Sequence, residues 1–237
     1  MTFIQKYKNY CVSLGNATTT MENNVKIIKK FLIRAKKRGI KFPLDPSDIV
    51  CGSTLGNRVD LDAVEINKLI SLFYSEFINE THIIPLAKFL ISCFTGLRIS
   101  DIQQFKHKNI VNEQLKFTTI KTGKRQTITM NTTVLEILKK CPNALTSNIS
   151  DQKINAHLKE IAKICGIKKV VTFHVARHSF ATNFLRLGGT IEKLQELLGH
   201  SSITETRIYV HIVQEELDRE IMIMDNLVVK PNSLNEL

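Results

Sequence analysis

Apolar residues recur at a period of three to four along most of the chain and alternate with polar ones in only one place, so the pattern predicts a mainly helical fold with a small antiparallel sheet. Between Thr18 and Gly39, Ile27, Ile28, Phe31, Leu32 and Ala35 form one apolar stripe. Thr19 stands three residues before Glu22 in the capping-box pattern, and Gly39 closes the segment. Further helices are expected from about 83 to 94, ended by Thr95-Gly96, then in RISDIQQF (98–105), TVLEILKK (133–140), the segment 150–166, FHVARHSFATNFLRLGG (173–189), TIEKLQELLG (190–199) and a final pair around Tyr209 and 215–225. Asp62 with Glu65 makes a second capping box, with Leu61 and Ile66 as its hydrophobic staple. In the 173–189 segment Phe173, Ala176, Phe180, Phe184 and Leu187 share the face expected to meet the core, and Gly188-Gly189 marks the stop. The alternating runs 115–120 and 126–130, joined by KTGKR, read as a hairpin with a basic tip.

Residues 41–59 concentrate proline, glycine and small polar residues without periodicity, which makes them the expected linker. The domain boundary is placed near residue 55, giving domains 1–55 and 56–237. A helix-rich order with one β insert argues against a doubly wound parallel sheet and against a repeat architecture.

Charge adds a partner class. The chain carries 33 Lys and Arg against 22 Asp and Glu, a net +11, which points to a polyanion. Residues 1–50 hold ten basic against three acidic residues, net +7, whereas residues 211–237 hold two against six, net −4. Lys26, Lys29, Lys30, Arg34, Lys37 and Arg38 cover the polar faces of the first long helix and are candidates for phosphate contacts, beside the ordinary reading of a solvated face. The five cysteines, at 11, 51, 93, 141 and 165, form no CxxC pair and are expected as free, mostly buried thiols. No apolar run approaches a bilayer span and the N-terminus has no secretory core, so a cytoplasmic protein without a membrane partner is expected.

Three familiar chemistries fail at the level of residues. His174 and His178 have the i, i+4 spacing of a zinc pair, but Val175 stands where HExxH needs glutamate and Arg177 would set a positive charge beside the ion. KTGKR lacks the earlier glycine and the Ser or Thr of a phosphate-binding P-loop, and no GxSxG is present. What remains is a series of cationic and polar residues at breaks in structure: Arg98 after a Thr-Gly-Leu turn, Lys121 at the hairpin tip, His174 and Arg177 at a helix start, His200 after Leu-Gly, and Tyr209 beyond it.

In order and spacing, TGLRISDI (95–102), KTGK (121–124), HVARHSFAT (174–182), LLGHSS (197–202) and Tyr209 in RIYVHI resemble the successive boxes of the tyrosine recombinase, or phage integrase, family. The resemblance covers roughly residues 60–215. It implies a tyrosine-recombinase-type catalytic domain, preceded here by a partial helical core-binding domain, since residues 1–55 supply fewer helices than that domain usually has. It also implies site-specific cleavage and rejoining of DNA through a 3′-phosphotyrosyl intermediate, with no metal, ATP or other cofactor. By resemblance Tyr209 is the nucleophile, Arg98 and Arg177 bind the phosphate, His200 adds a hydrogen bond, His174 handles a proton, and Lys121 is the general acid. Asp101 and His178 support these groups, and Lys124 and Arg125 extend the DNA-contacting set.

The implied partners are double-stranded DNA with an inverted-repeat core site, three further copies in a DNA-bound homotetramer joined through the acidic C-terminal helix, and possible DNA-bending accessory factors. That helix is expected to present Leu217, Ile221 and Met224 on one face. When bound to DNA the protein would associate with the nucleoid. Two other readings stay open on sequence alone: a truncated, non-catalytic DNA-binding regulator of recombination, and relaxation activity resembling a type IB topoisomerase.

Overall fold

The computed structural model describes residues 2–52, 59–210 and 214, and it divides into two compact units, Met1–Asn57 and Arg58–Leu237. The expected C-terminal helix around 215–225 lies outside the described residues.

In the first unit, α1 (Phe3–Ser13) packs on α2 (Thr18–Lys37) around Ile4, Val25 and Ile49, with Tyr7, Ile28, Leu32 and Leu44 at the edge of this small core. Three sequence expectations change here. The N-cap of α2 is Ala17, without a side-chain bond, so Thr19 and Glu22 form no capping box. Glu22 instead turns inward, where it accepts from Lys8 Nζ at 2.6 Å and from the Gly52 amide. The apolar stripe of α2 is split: Ile28 and Leu32 meet the core, whereas Ile27 and Phe31 are 52% and 62% exposed. One short helix and one turn can cover only one ridge of a neighbour. Finally, the first part of the expected linker belongs to this unit, because the turn at Pro46–Asp48 packs on α2 and Ile49 is buried.

The second unit is built around α4 (Glu80–Thr95), which contacts α3 (Ala63–Tyr74), α6 (Thr132–Lys140), α7 (Asp151–Ile164) and α8 (Phe173–Arg186). Leu86, Ala87, Phe89, Leu90 and Ile91 are wholly buried, which explains why α4 reads as apolar on every side. The Asp62–Glu65 capping box is formed in both directions, and Leu61 and Ile66 are both in the core. Asn79 caps α4, so that helix starts about three residues before its apolar pattern does. It ends on Gly96 in the left-handed conformation, φ 68°. A Cβ there would meet Phe180 Cδ1 at 2.6 Å. Both the turn and the close approach of α8 therefore require glycine.

After the short α5 (Ile99–Gln103), strands β1 (Ile110–Val111), β2 (Gln114–Thr118) and β3 (Arg125–Thr129) form an antiparallel sheet in that order, with Leu115 opposite Ile128 and Thr118 opposite Arg125. Leu115, Phe117 and Ile128 point to the core, the alternation expected of a sheet covered on one face. The two-residue β1 is too short to leave a pattern in the sequence.

Helix α8 departs from its expected facing. Phe173 and Ala176 are buried as anticipated, but Phe180 and Phe184 are partly exposed and Leu187 is 87% exposed. The buried positions are Val175, Ala176, Ser179, Ala181 and Thr182, together with Arg177 and His178. Polar residues can be buried here because their groups are satisfied: Ser179 Oγ donates to Val175 O and accepts from the Leu61 amide, and Thr182 Oγ1 donates to His178 O. Helix α9 (Ile191–Leu198) follows, capped by Thr190 and closed by left-handed Gly199, and residues 204–210 are helical and carry Tyr209. All five cysteines are free, with Cys11, Cys93 and Cys141 buried.

Candidate active site

Arg177 is the centre of a junction between three elements. Its guanidinium lies on the buried side of α8 and donates to Gly96 O at 2.7 Å and Leu198 O at 2.6 Å, the carbonyls exposed where α4 and α9 end. Helix ends leave such carbonyls without intrahelical partners, and a planar fork of donors can serve two at once. Burial, then the nearby charge of Arg98, lowers the Arg177 pKa to about 10, which leaves it fully charged at neutral pH.

Arg177 Nη2 also lies 3.0 Å from His200 Nε2. A guanidinium can only donate, so Nε2 accepts and the proton sits on Nδ1, which donates to Thr206 Oγ1 at 2.9 Å. Burial first and Arg177 second push the His200 pKa down to about 4, with Glu205 opposing and Arg98 and Lys121 adding to the fall. The imidazole is therefore neutral. An unfolded histidine titrates near 6.5, so between about pH 6.5 and 4 the unfolded chain binds a proton that the folded chain refuses. Stability should fall as pH drops through that window, by roughly 1–2 kcal/mol from this group once its partial exposure is discounted. Urea unfolding at pH 7 and 4.5 tests this: His200→Asn should show a smaller acid loss than the unmodified chain, and equal losses would contradict the assignment.

Arg98 caps α5 and brings a second guanidinium to the same place. Its Nη1 is buried 3.9 Å from Asp101 Oδ2, too far for a hydrogen bond, and among the described residues it has no hydrogen-bond partner. Asp101 Oδ1 accepts from the Ile120 amide at 3.0 Å, so one carboxylate steers Arg98 and holds the root of the hairpin tip. The tip itself is closed by Thr119 Oγ1 against Thr122 Oγ1 at 2.6 Å and by left-handed Gly123, which leaves Lys121 exposed. From β3, Gln126 donates to the carbonyls of Glu196 and Leu197 and so ties the hairpin to α9.

Tyr209 is 2% exposed and packs with Ala181, Leu194 and Leu198. Its hydroxyl lies 2.9 Å from His178 Nδ1, and the exposed ring of His174 stands edge-on to His178 with centroids 4.3 Å apart. The sequence had assigned the tyrosine's proton to His174; the hydrogen bond in this conformation is made by His178.

The structure thus brings Arg98, Lys121, His174, Arg177, His200 and Tyr209, with Asp101 and His178, into one neighbourhood. Lys124 and Arg125 line a cleft of about 680 Å³ that reaches His200. Of the other cationic candidates, Lys29 donates to Ile49 O at 2.7 Å and so anchors its own unit, whereas Lys26, Lys30, Arg34, Lys37 and Arg38 are exposed on α2. Sequence reasoning missed Thr206, Gln126 and the two carbonyl acceptors. A backbone carbonyl leaves no signature in residue type, and an isolated Thr or Gln is too common to single out.

Comparison with known proteins bears on the family. The model of the phage integrase family matches residues 60–216. The tyrosine recombinase XerD of Staphylococcus saprophyticus is 30% identical over 237 residues, covering 90% of this chain and 79% of its own length. XerD of Listeria monocytogenes serotype 4b is 32% identical over 143 residues, 52% of this chain and 48% of that protein, so this match spans about half of the relative. Among solved structures, the XerH site-specific recombinase in a post-cleavage complex with palindromic difH substrate superposes with a TM-score of 0.74 at 18% identity, covering 94% of this chain and 71% of that one. The Tn1549 transposon integrase in complex with circular intermediate DNA gives 0.66 at 18% identity, covering 87% and 80%. These structural likenesses concern the fold. The matched family model, the XerD relative and the ordered boxes around Arg177 together place the chain in the phage integrase family of tyrosine recombinases.

Proposed function

We propose that this protein is a site-specific DNA recombinase that cleaves and rejoins strands through a 3′-phosphotyrosyl intermediate. The observation that carries the reading is the pair of arginines: two like charges held close together, with Arg98 Nη1 buried without a hydrogen bond among the described residues and only the more distant Asp101 carboxylate beside it, form a site that an anion would complete. A phosphodiester under attack gains negative charge on its non-bridging oxygens, and fixed guanidinium donors stabilise that charge without reorganising.

In this reading Tyr209 Oη attacks phosphorus, the bond to the 5′-oxygen breaks, and Lys121 gives that oxygen its proton. The phosphotyrosine ester keeps the energy of the broken bond, so attack by another 5′-hydroxyl reverses the step without ATP. The arginines supply the charge that metal ions supply in other phosphoryl-transfer sites. His178 and His174 take the tyrosine's proton in relay, His178 because it touches the hydroxyl and His174 because it links His178 to solvent. Since Tyr209 is buried, DNA binding must shift residues 204–210 before attack, which keeps the nucleophile inactive in the free protein.

The remaining parts of the proposal concern partners. Residues 1–55 act as a partial core-binding domain through the basic face of α2, and the cleft beside Lys124 and Arg125 carries phosphates toward His200. An apolar groove lined by Val64, Cys93, Phe94, Phe180, Phe184 and Leu187 would receive the C-terminal segment of a second copy, with Leu217, Ile221 and Met224 as anchors, in a DNA-bound tetramer. The burial of Tyr209 also favours a second reading, DNA binding without chemistry.

Chemistry at Lys121 separates the two. Lys121→Ala should slow cleavage of an ordinary duplex by about 10²–10⁴-fold, the usual worth of a general acid. A duplex with sulfur in place of the scissile 5′-oxygen needs no proton on departure and should restore the variant to within about tenfold of the unmodified chain. Equal loss on both substrates would remove Lys121 from the acid role, and cleavage of neither substrate by the unmodified chain would favour the binding-only reading.

A further inference from the structure

At the opposite end of α4 from Gly96, three metal-ligating side chains meet away from the arginines. His82 lies in the first turn of α4, and a helix of this length places it about 20 Å from the active-site end. His157 and Glu160 stand one turn apart on α7, the helix packed against it. The Nδ1 atoms of the two histidines face each other at 3.1 Å, with their rings edge-on at 73°. Glu160 Oε2 lies 3.6 Å from His82 Nε2 and 4.0 Å from His157 Nδ1. One nitrogen from each ring and the carboxylate oxygen fall within 4.8 Å of one another.

Two imidazoles on neighbouring helices share one hydrogen bond at 3.1 Å, and the Glu160 carboxylate stands at ion-pair distance from both, so the three groups form one polar cluster. Ligands of a tetrahedral zinc ion, bonded at about 2.0–2.2 Å, lie roughly 3.3 Å apart; with one nitrogen from each ring, Nε2 of His82 and Nδ1 of His157, Glu160 Oε2 already stands at 3.6 and 4.0 Å, near that spacing. His82 is 8% exposed and its ring is held in place, whereas the Glu160 side chain is 66% exposed and has room to close by the ångström it needs. Two imidazoles and one carboxylate suit zinc and its neighbours in the transition series rather than magnesium or calcium, which prefer all-oxygen sets.

We propose that His82, His157 and Glu160 form a site for one zinc-class divalent ion, with water as the fourth ligand, that staples α4 to α7. Because α4 also presents Gly96 O to Arg177, the ion would stiffen the frame of the active site without touching substrate. The inference does not rest on the recombinase reading.

The test uses the full chain, stripped with a chelator and titrated with Zn²⁺ alone. One equivalent should bind by calorimetry, and at a hundredfold excess over the dissociation constant the melting temperature should rise by about 5 °C or more. Co²⁺ in place of Zn²⁺ should give the intense visible bands of a tetrahedral site. His157→Ala should weaken zinc binding at least tenfold, and so should Glu160→Gln, which alters an exposed carboxylate and leaves the core intact. His174→Ala, which removes a histidine of the other His pair, should leave zinc affinity unchanged. The proposal fails if zinc raises no transition, if both α7 variants bind as well as the unmodified chain, or if His174→Ala is the substitution that abolishes binding.

Discussion

Arg177→Ala is expected to lower single-turnover cleavage of a nicked duplex by at least about 10³-fold, because in the proposed mechanism it removes one of the two fixed positive charges that stabilise the phosphate under attack. It should also destabilise the fold, since the carbonyls of Gly96 and Leu198 lose the only donors described for them in a buried setting. Each orphaned acceptor costs about 1–3 kcal/mol, so a loss of roughly 2–6 kcal/mol is anticipated. Arg177→Lys separates charge from geometry. An ammonium keeps the charge but cannot hold two carbonyls, His200 and a phosphate in one plane, so cleavage should still fall at least about 10²-fold. Quenched cleavage assays with parallel thermal melts check both variants. Cleavage within tenfold of the unmodified chain for Arg177→Ala would exclude the arginine pair as the phosphate site.

The second large effect belongs to Tyr209→Phe. The ring still fills its place against Ala181, Leu194 and Leu198 while the hydrogen bond to His178 is lost, so stability should change by about 1 kcal/mol. DNA affinity should be unchanged, because a buried hydroxyl makes no contact with phosphate before the rearrangement. Cleavage should nevertheless fall below detection, at least about 10⁴-fold, since the proposed chemistry forms its covalent bond through the Tyr209 hydroxyl. Gel-shift titration and cleavage on the same duplex measure the two properties together. A variant that binds and still cleaves would exclude Tyr209, and one that neither binds nor melts normally would point to a structural role.

How much of this was legible in the sequence follows from what kind of information each feature uses. The Asp62–Glu65 cap, the hairpin and the glycine stops at Gly96 and Gly199 are local, and local pattern places them. The α2 stripe and the facing of α8 are tertiary. Ile27 and Phe31 look like core residues by spacing, yet among the described residues of their unit nothing covers them; Leu187 is apolar and exposed for the same kind of reason. Glu22 was read as a cap because its spacing from Thr19 fits, and lost that role to Lys8, a partner invisible in local sequence.

The site shows the same division. Arg98, Lys121, His174, Arg177, His200 and Tyr209 could be chosen because the boxes that contain them come in one order. Their connections could not. The Arg177 bonds to Gly96 O and Leu198 O join residues 81 and 21 positions away through atoms that every residue has. The Asp101 bond to the Ile120 amide likewise depends on where the hairpin root lands. The contact of His178, rather than His174, with Tyr209 depends on the rotation of α8, which its hydrophobic pattern misplaces by a fraction of a turn.

The measurement that tests the central claim most directly is to incubate the unmodified chain with nicked duplexes drawn from its own genetic neighbourhood, without metal or ATP, and to map any SDS-resistant adduct by peptide mass spectrometry. The account predicts a DNA 3′-phosphate on the peptide containing Tyr209 and a free 5′-hydroxyl on the released strand. An adduct on any other residue, or salt-sensitive binding with no adduct on any duplex, would contradict it.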